Sequence, residues 1–148
     1  MQTLDEAWAL SREDHGLAIV STVRADGTIQ SSMVNTGVLA HPATGDRLLA
    51  FVAVGGARLV KLVNLRARPQ IAVAFRNGWR WAAVEGRAEL AGPADPQPWL
   101  DAERLRLLLR DIYAAAGGTH DDWDTYDRVV AQEGRTAVLI TPTRVYGG

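Results

Sequence analysis

The 148-residue chain has no cysteine, which removes disulfides, thiolate metal sites and a cysteine nucleophile together. Its three histidines, His15, His41 and His120, are scattered, so no metal-ligand spacing arises. His120 beside Asp121 and Asp122 reads as the acid-rich start of a helix rather than as a metal pair. There is no excess of either charge: 16 basic side chains face 17 acidic ones, a formal charge of −1. That argues against a broad nucleic-acid surface, so any anion site must be local. A secretory apolar core and an 18-residue apolar run are both missing, which points to a cytoplasmic protein with no membrane partner. The phosphate-binding loop, the dinucleotide fingerprint and the nucleophile elbow are missing as well. If the chain is an enzyme, a cofactor supplies the reactive group. Glu85 and Glu89 share a strand face, where a solvated face is a simpler reading than an acid pair.

Lysine is nearly absent. Of the sixteen cations fifteen are arginine, and the single lysine is Lys61. It falls in the stretch around which the chain is organised, Phe51 to Phe75. Phe51 to Val54 reads as a strand, Gly55-Gly56 as a turn, and Ala57 to Arg66 as a helix with Leu59, Leu62 and Val63 on its apolar face. Arg58 and Lys61, three apart, share another face of that helix. A helix N-terminus behind a glycine turn, with two added cations, is an anion seat suited to phosphate. The same residues also read as a solvated basic face. Arg68-Pro69 ends the helix, and Ile71, Val73 and Phe75 alternate as a strand.

With 47% apolar residues, residues 1–148 form one domain with a sizeable core. Thr3 to Glu6 has the form of a capping box, opening a first helix that ends near His15-Gly16. Leu17 to Arg24 and Ile29 to Leu39 form a hairpin. On its second strand Ile29, Ser31, Met33 and Asn35 face one way and Gln30, Ser32, Val34 and Thr36 the other. The small polar residues leave room for a flat ligand, or mark an edge with one wet face. A third strand runs from Arg47 to Val54. Asn77-Gly78 joins strand 71–76 to a long strand from Trp79 to Leu90, with Trp79 and Trp81 on one face. Helices follow at about 99–116, with Leu105, Leu108, Leu109 and Ile112 as the buried stripe, and from 119–122 through Val130. The last strand covers Thr136 to Thr143. Six strands joined mostly by short turns predict a mainly β protein with helices (α+β), an antiparallel barrel rather than a parallel sheet.

The order of hairpin, third strand, Lys61-Leu62-Val63-Asn64-Leu65 helix, Arg68-Pro69 and strand resembles the split-barrel flavin and deazaflavin oxidoreductases, the pyridoxamine-phosphate-oxidase-like superfamily. Gly78-Trp79, Ala83 to Gly86, His120 with Trp123, Asp124 and Tyr126, and Val145-Tyr146-Gly147 resemble the branch that uses the deazaflavin coenzyme F420. The resemblance implies a six-stranded split β-barrel, a homodimer with cofactor sites at the subunit interface, and hydride transfer to a small organic acceptor with an activated double bond. It places the coenzyme ring against Ser31, Ser32, Met33, Val34 and Asn35, with Val54 nearby, and its acidic groups at Arg58 and Lys61. The resemblance also implies that Gly78, Trp79 and Tyr146 are contributed by the partner chain. No catalytic residue is assigned, although Tyr126 and Tyr146 are candidates for the proton donor. Two alternatives keep the fold: an FMN-dependent oxidase or reductase, and a non-catalytic carrier. FMN needs fewer cations than Arg58, Lys61, Arg66 and Arg68 offer.

Overall fold

In the computed structural model, which describes residues 2–148, six strands close into one barrel. They are β1 (Leu17–Val23), β2 (Ile29–Ala40), β3 (Arg47–Ala53), β4 (Gln70–Asn77), β5 (Arg80–Ala91) and β6 (Thr136–Gly147). Their order around the barrel is β1-β2-β3-β6-β5-β4, every ladder is antiparallel, and β1 meets β4 to close it. This is the architecture expected from the short turns.

Alternation explains β1 and β4, whose buried residues Ala18, Val20, Thr22, Ile71, Val73 and Phe75 point inward. It fails for β3 and β6, where Leu48 to Phe51 and Thr136 to Ile140 are buried without a break. Their outer faces are covered by α3 (Ala102–Ala115) and α4 (Trp123–Gln132), which bring Leu108, Leu109, Ile112, Tyr126 and Val130 against Leu48, Ala50, Ala137 and Leu139. Continuous apolar runs are what strands covered on both sides require. The stripe predicted for α3 holds, with Leu105 at its half-buried margin.

Two helices shut the barrel's open parts. In α1 (Leu4–Ala9) the Thr3 hydroxyl accepts from the Glu6 amide at 3.1 Å, as a capping box requires. Trp8 then donates to the Thr36 carbonyl at 2.9 Å. The helix expected at 57–66 instead spans Val60–Ala67 (α2), with Leu59 as its N-cap. Its buried side chains are Leu62, Asn64 and Leu65, while Val63 is half exposed. Of the apolar trio read from the sequence, Leu62 is buried and Leu59 packs half-buried against the core, whereas Val63 gives way to Asn64 and Leu65. Two buried leucines contribute roughly 1.5–3 kcal/mol each, and Asn64 adds direction. Its side-chain amide donates to the Thr22 hydroxyl at 3.0 Å, which donates to the Gln30 side chain at 3.1 Å.

Two other boundaries moved. Gly78, with φ +62°, is the first central residue of the β4–β5 turn, because Asn77 pairs with Arg80. Trp79 therefore sits in the turn, 98% exposed, and does not share a strand face with Trp81. β6 continues to Gly147 beyond Pro142, which lies opposite Gly86 at the register shift between Glu85 and Gly86. A bulge is where a strand tolerates proline. Glu85 and Glu89 separate across that bulge, Glu85 accepting from Tyr146 at 2.5 Å and Glu89 meeting His41 at 2.7 Å.

Register also aligns an outward apolar belt. Ile19 pairs with Met33 on one side and Ala74 on the other, Ala74 pairs with Ala83, and Ala83 with Tyr146. Leu17 and Trp81, both exposed, border it.

At Gly37 of β2 the end of α3 lies tight against the barrel, since an added Cβ would stand 2.6 Å from the Ala115 Cβ and 2.7 Å from its carbonyl carbon. Gly37→Ala should destabilise the protein by roughly 1–3 kcal/mol through overpacking. Gly56→Ala, where an added Cβ meets nothing within 4 Å, should stay within about 0.5 kcal/mol. Calorimetry on both variants checks this, and equal melting temperatures would contradict the packing.

Candidate functional site

A cavity of about 320 Å³ lies where the rim of β2 and β3 meets α2, α3 and α4. β2 contributes Met33, Val34 and Asn35, and β3 contributes Val52 with Val54 just beyond its end. Lys61 enters from α2, and Ile112, Tyr113 and Tyr126 form the helical wall. Arg135, in the turn before β6, completes it. Five of the residues singled out from the sequence, Met33, Val34, Asn35, Val54 and Lys61, are thereby brought together.

Lys61 is placed there by the way α2 plugs the barrel. It precedes Leu65 by four residues, which on a helix is one turn plus about 40°, so it rides at the margin of the buried face. Its ammonium donates to the Ser32 hydroxyl at 3.0 Å. It is half-buried rather than exposed, and burial pushes its pKa below the usual lysine value. Among the described residues no carboxylate offsets that burial: the ammonium's hydrogen-bond partner is a neutral hydroxyl. A cation held this way suits an incoming anion.

The other predicted residues are dispersed. Arg58 lies ahead of the N-cap of α2 and is exposed, so it does not share a helix face with Lys61. The glycine turn is correspondingly not the N-terminus of the helix. Arg66 and Arg68 are committed elsewhere: Arg66 pairs with Asp95 at 2.6 Å and donates to the Ala57 carbonyl at 2.6 Å, and Arg68 donates to the Val23 carbonyl at 2.9 Å. Ser31 faces outward and shares a 2.8 Å hydrogen bond with Ser21. Gly78 borders a second hollow of about 490 Å³ on the outer face, with Leu17, Ile19, Met33 and Trp81. Trp79 projects into solvent. Tyr146 packs edge-on against Trp81, with ring centroids 6.2 Å apart.

Neither tyrosine named as a proton donor has a free hydroxyl proton. Tyr126 lines the cavity, but its hydroxyl donates to the Leu109 carbonyl at 3.1 Å, and burial raises its pKa. The Tyr146 pKa is raised chiefly by its hydrogen bond to Glu85. His120 sits among Tyr113, Trp123 and Tyr126 and accepts from the Asp122 amide at 3.0 Å. No group of three potential metal ligands occurs among the described residues.

Sequence reasoning missed Val52, Ile112, Tyr113 and Arg135. The first three read as core or helix-face residues, and Arg135 had no signal beyond its charge. It reaches the cavity only because α4 ends where it does.

Among the described residues no helix is long and apolar enough to cross a membrane. Several solved structures share the fold. A conserved hypothetical protein of Mycobacterium tuberculosis superposes with a TM-score of 0.67 at 18% identity, over 99% of this chain and 84% of that one. An F420 reductase gives a TM-score of 0.55 at 22% identity, over 88% of each chain. A pyridoxamine 5'-phosphate oxidase-related, FMN-binding protein of Nostoc punctiforme gives 0.59 at 15% identity, over 94% of this chain and 79% of that one. The family model for pyridoxamine 5'-phosphate oxidase matches residues 4–147. The closed antiparallel barrel, its helical covers and a match over almost the whole sequence agree that the chain belongs to the pyridoxamine 5'-phosphate oxidase family.

Proposed function

We propose that the protein is an oxidoreductase that binds coenzyme F420 in the cavity between β2, α2 and α3–α4 and reduces a small organic acceptor. The observation that carries this reading is Lys61, a half-buried ammonium at the cavity wall bonded to a hydroxyl rather than to a carboxylate. The cavity residues fit an anionic, ring-bearing group: Lys61 offers charge, the β2 segment at Met33–Asn35 offers an extended backbone, and Tyr113 and Tyr126 offer aromatic faces. Bound there, a deazaflavin would supply hydride chemistry that the side chains do not have. The chain's own part is to orient the ring, hold its acidic group and keep water from the reacting face. The F420 reductase among the similar structures is consistent with this choice.

FMN is the second reading, and one observation favours it. With Arg66 and Arg68 tied to Asp95 and Val23, the surplus of cations that set F420 apart shrinks to Arg58 and Lys61. Fluorescence titration with F420 and FMN side by side decides between them. We expect F420 to bind the more tightly, and Lys61→Ala to weaken it by roughly 1–3 kcal/mol, as loss of a charge-assisted hydrogen bond does. Unchanged binding by Lys61→Ala at low salt would remove Lys61 from the seat.

Stability supplies an independent check. The lowered pKa of Lys61 means that the unfolded chain holds this proton more tightly than the folded one. Between the lowered value and the ordinary 10.5 the unfolded state is the more protonated, so wild-type stability rises with pH across that window. Lys61→Met should therefore melt above wild type near neutral pH without ligand, and its advantage should shrink as pH approaches 10. Calorimetry at several pH values measures this, and a variant that melts below wild type throughout would contradict it.

The outward belt through Met33, Ile19, Ala74, Ala83 and Tyr146 supports a homodimer. Light scattering at micromolar concentration should give twice the chain mass; a stable, cofactor-binding monomer would rule the dimer out.

A further inference from the structure

Arg135 is the cation that the cofactor reading does not use. It is placed by the end of α4, where Gly134 takes φ +60° and its amide donates to the Ala131 carbonyl at 3.2 Å, while the Arg135 amide donates to the Val130 carbonyl at 3.1 Å. These are the paired bonds of a Schellman cap, so the backbone of Arg135 is fixed where the chain turns into β6. Its side chain is 19% exposed and lines the cavity. Glu133 accepts from Nε at 2.6 Å. Among the described residues the two terminal guanidinium nitrogens make no hydrogen bond, leaving the fork that matches a carboxylate. Arg135 is also near enough to Tyr126 to pull that hydroxyl's pKa against the effect of burial.

The barrel order sets its relation to Lys61. Lys61 bonds Ser32 on β2, Arg135 immediately precedes β6, and β3 lies between those strands. Two strand spacings are roughly 10 Å, which keeps the two cations far enough apart to serve different groups, and Tyr113 and Tyr126 line the same cavity. Resting on the oxidoreductase reading, we infer that the acceptor is an aromatic or otherwise planar carboxylate whose acid group docks on the Arg135 fork. Arg135 is a specificity-determining residue for the substrate, and Lys61 serves the coenzyme.

The test is calorimetric titration of benzoate and of its neutral counterpart benzamide, into the protein alone and after loading with F420. Loaded wild-type protein should bind benzoate about tenfold or more tightly than benzamide, as a charge-assisted fork implies. Arg135→Gln should abolish that preference and leave F420 affinity within about twofold. Arg135→Lys, which keeps the charge without the fork, should retain part of the preference; it also decides the matter should the glutamine variant not fold, since full retention would remove the fork from the account. Equal binding of benzoate and benzamide by wild type, or a preference that survives in Arg135→Gln, would overturn the inference. So would a loss of F420 affinity in that variant as large as its loss of benzoate affinity, because Arg135 would then belong to the coenzyme seat. If wild type binds neither F420 nor FMN, the oxidoreductase reading fails by itself, and the benzoate series on the protein alone still decides whether Arg135 takes a carboxylate.

Discussion

Closing a barrel of six strands removes sheet edges but leaves open ends, and the way α2 plugs one of them governs the rest. The plug is held by two forces of different character. Leu62 and Leu65 are buried almost completely, which drives α2 onto the barrel without fixing its rotation. The chain of hydrogen bonds from Asn64 through Thr22 to Gln30 fixes that rotation, because a buried amide left unpaired would cost about 1–3 kcal/mol. Once the rotation is fixed, Lys61 has no choice of environment. It is drawn from water to the rim, opposite Ser32, and its charge is left for a ligand to complete.

The helices between β5 and β6 finish what α2 begins. They cover β3 and β6 from outside, which is why those strands are apolar on both faces, and where their inner ends overhang β2 they leave the cavity. Charge holds this overhang in place. Arg110 meets Asp127 at 2.5 Å across α3 and α4, and Arg106 meets the same carboxylate at 3.2 Å. At the other end Arg66 and Asp95 tie α2 to the connection that leads into α3. Most of the arginines near the site are thus structural, which leaves Lys61 and Arg135, among the described residues, as the cations that line the cavity.

What could be read from the sequence follows the same division. Strands with one wet face show alternation, and β1, β2 and β4 were placed to within a residue or two of their observed ends. The stripe of α3 and the capping box at Thr3 were equally plain, because each is a local pattern with a local cause. The face of α2 was only partly legible: Leu59 and Leu62 do pack on the core, but Val63 does not, and the true face includes Asn64, whose burial depends on a threonine 42 positions away. Hydropathy has no way to register that. The end of β6 was missed because Arg144 to Gly147 carry little local strand pattern and are held by pairing with Ala82 to Glu85, far away in sequence. In the site, β2 and Lys61 were legible as a polar strand and a lone lysine. Arg135 was not, since its position is fixed by a helix cap and by a strand that pairs with distant β3.

A single lysine makes the central claim, that the burial of Lys61 is completed by a bound anion, directly measurable. Protein grown with ε-13C-lysine carries one such side-chain label, and NMR can follow its titration with and without coenzyme. The account predicts a pKa below 10.5 for the free protein and a rise on adding F420 or FMN, because a nearby negative charge favours the protonated amine. An identical titration in the free and bound states would mean that the coenzyme does not meet Lys61, and the account of this cavity would be contradicted.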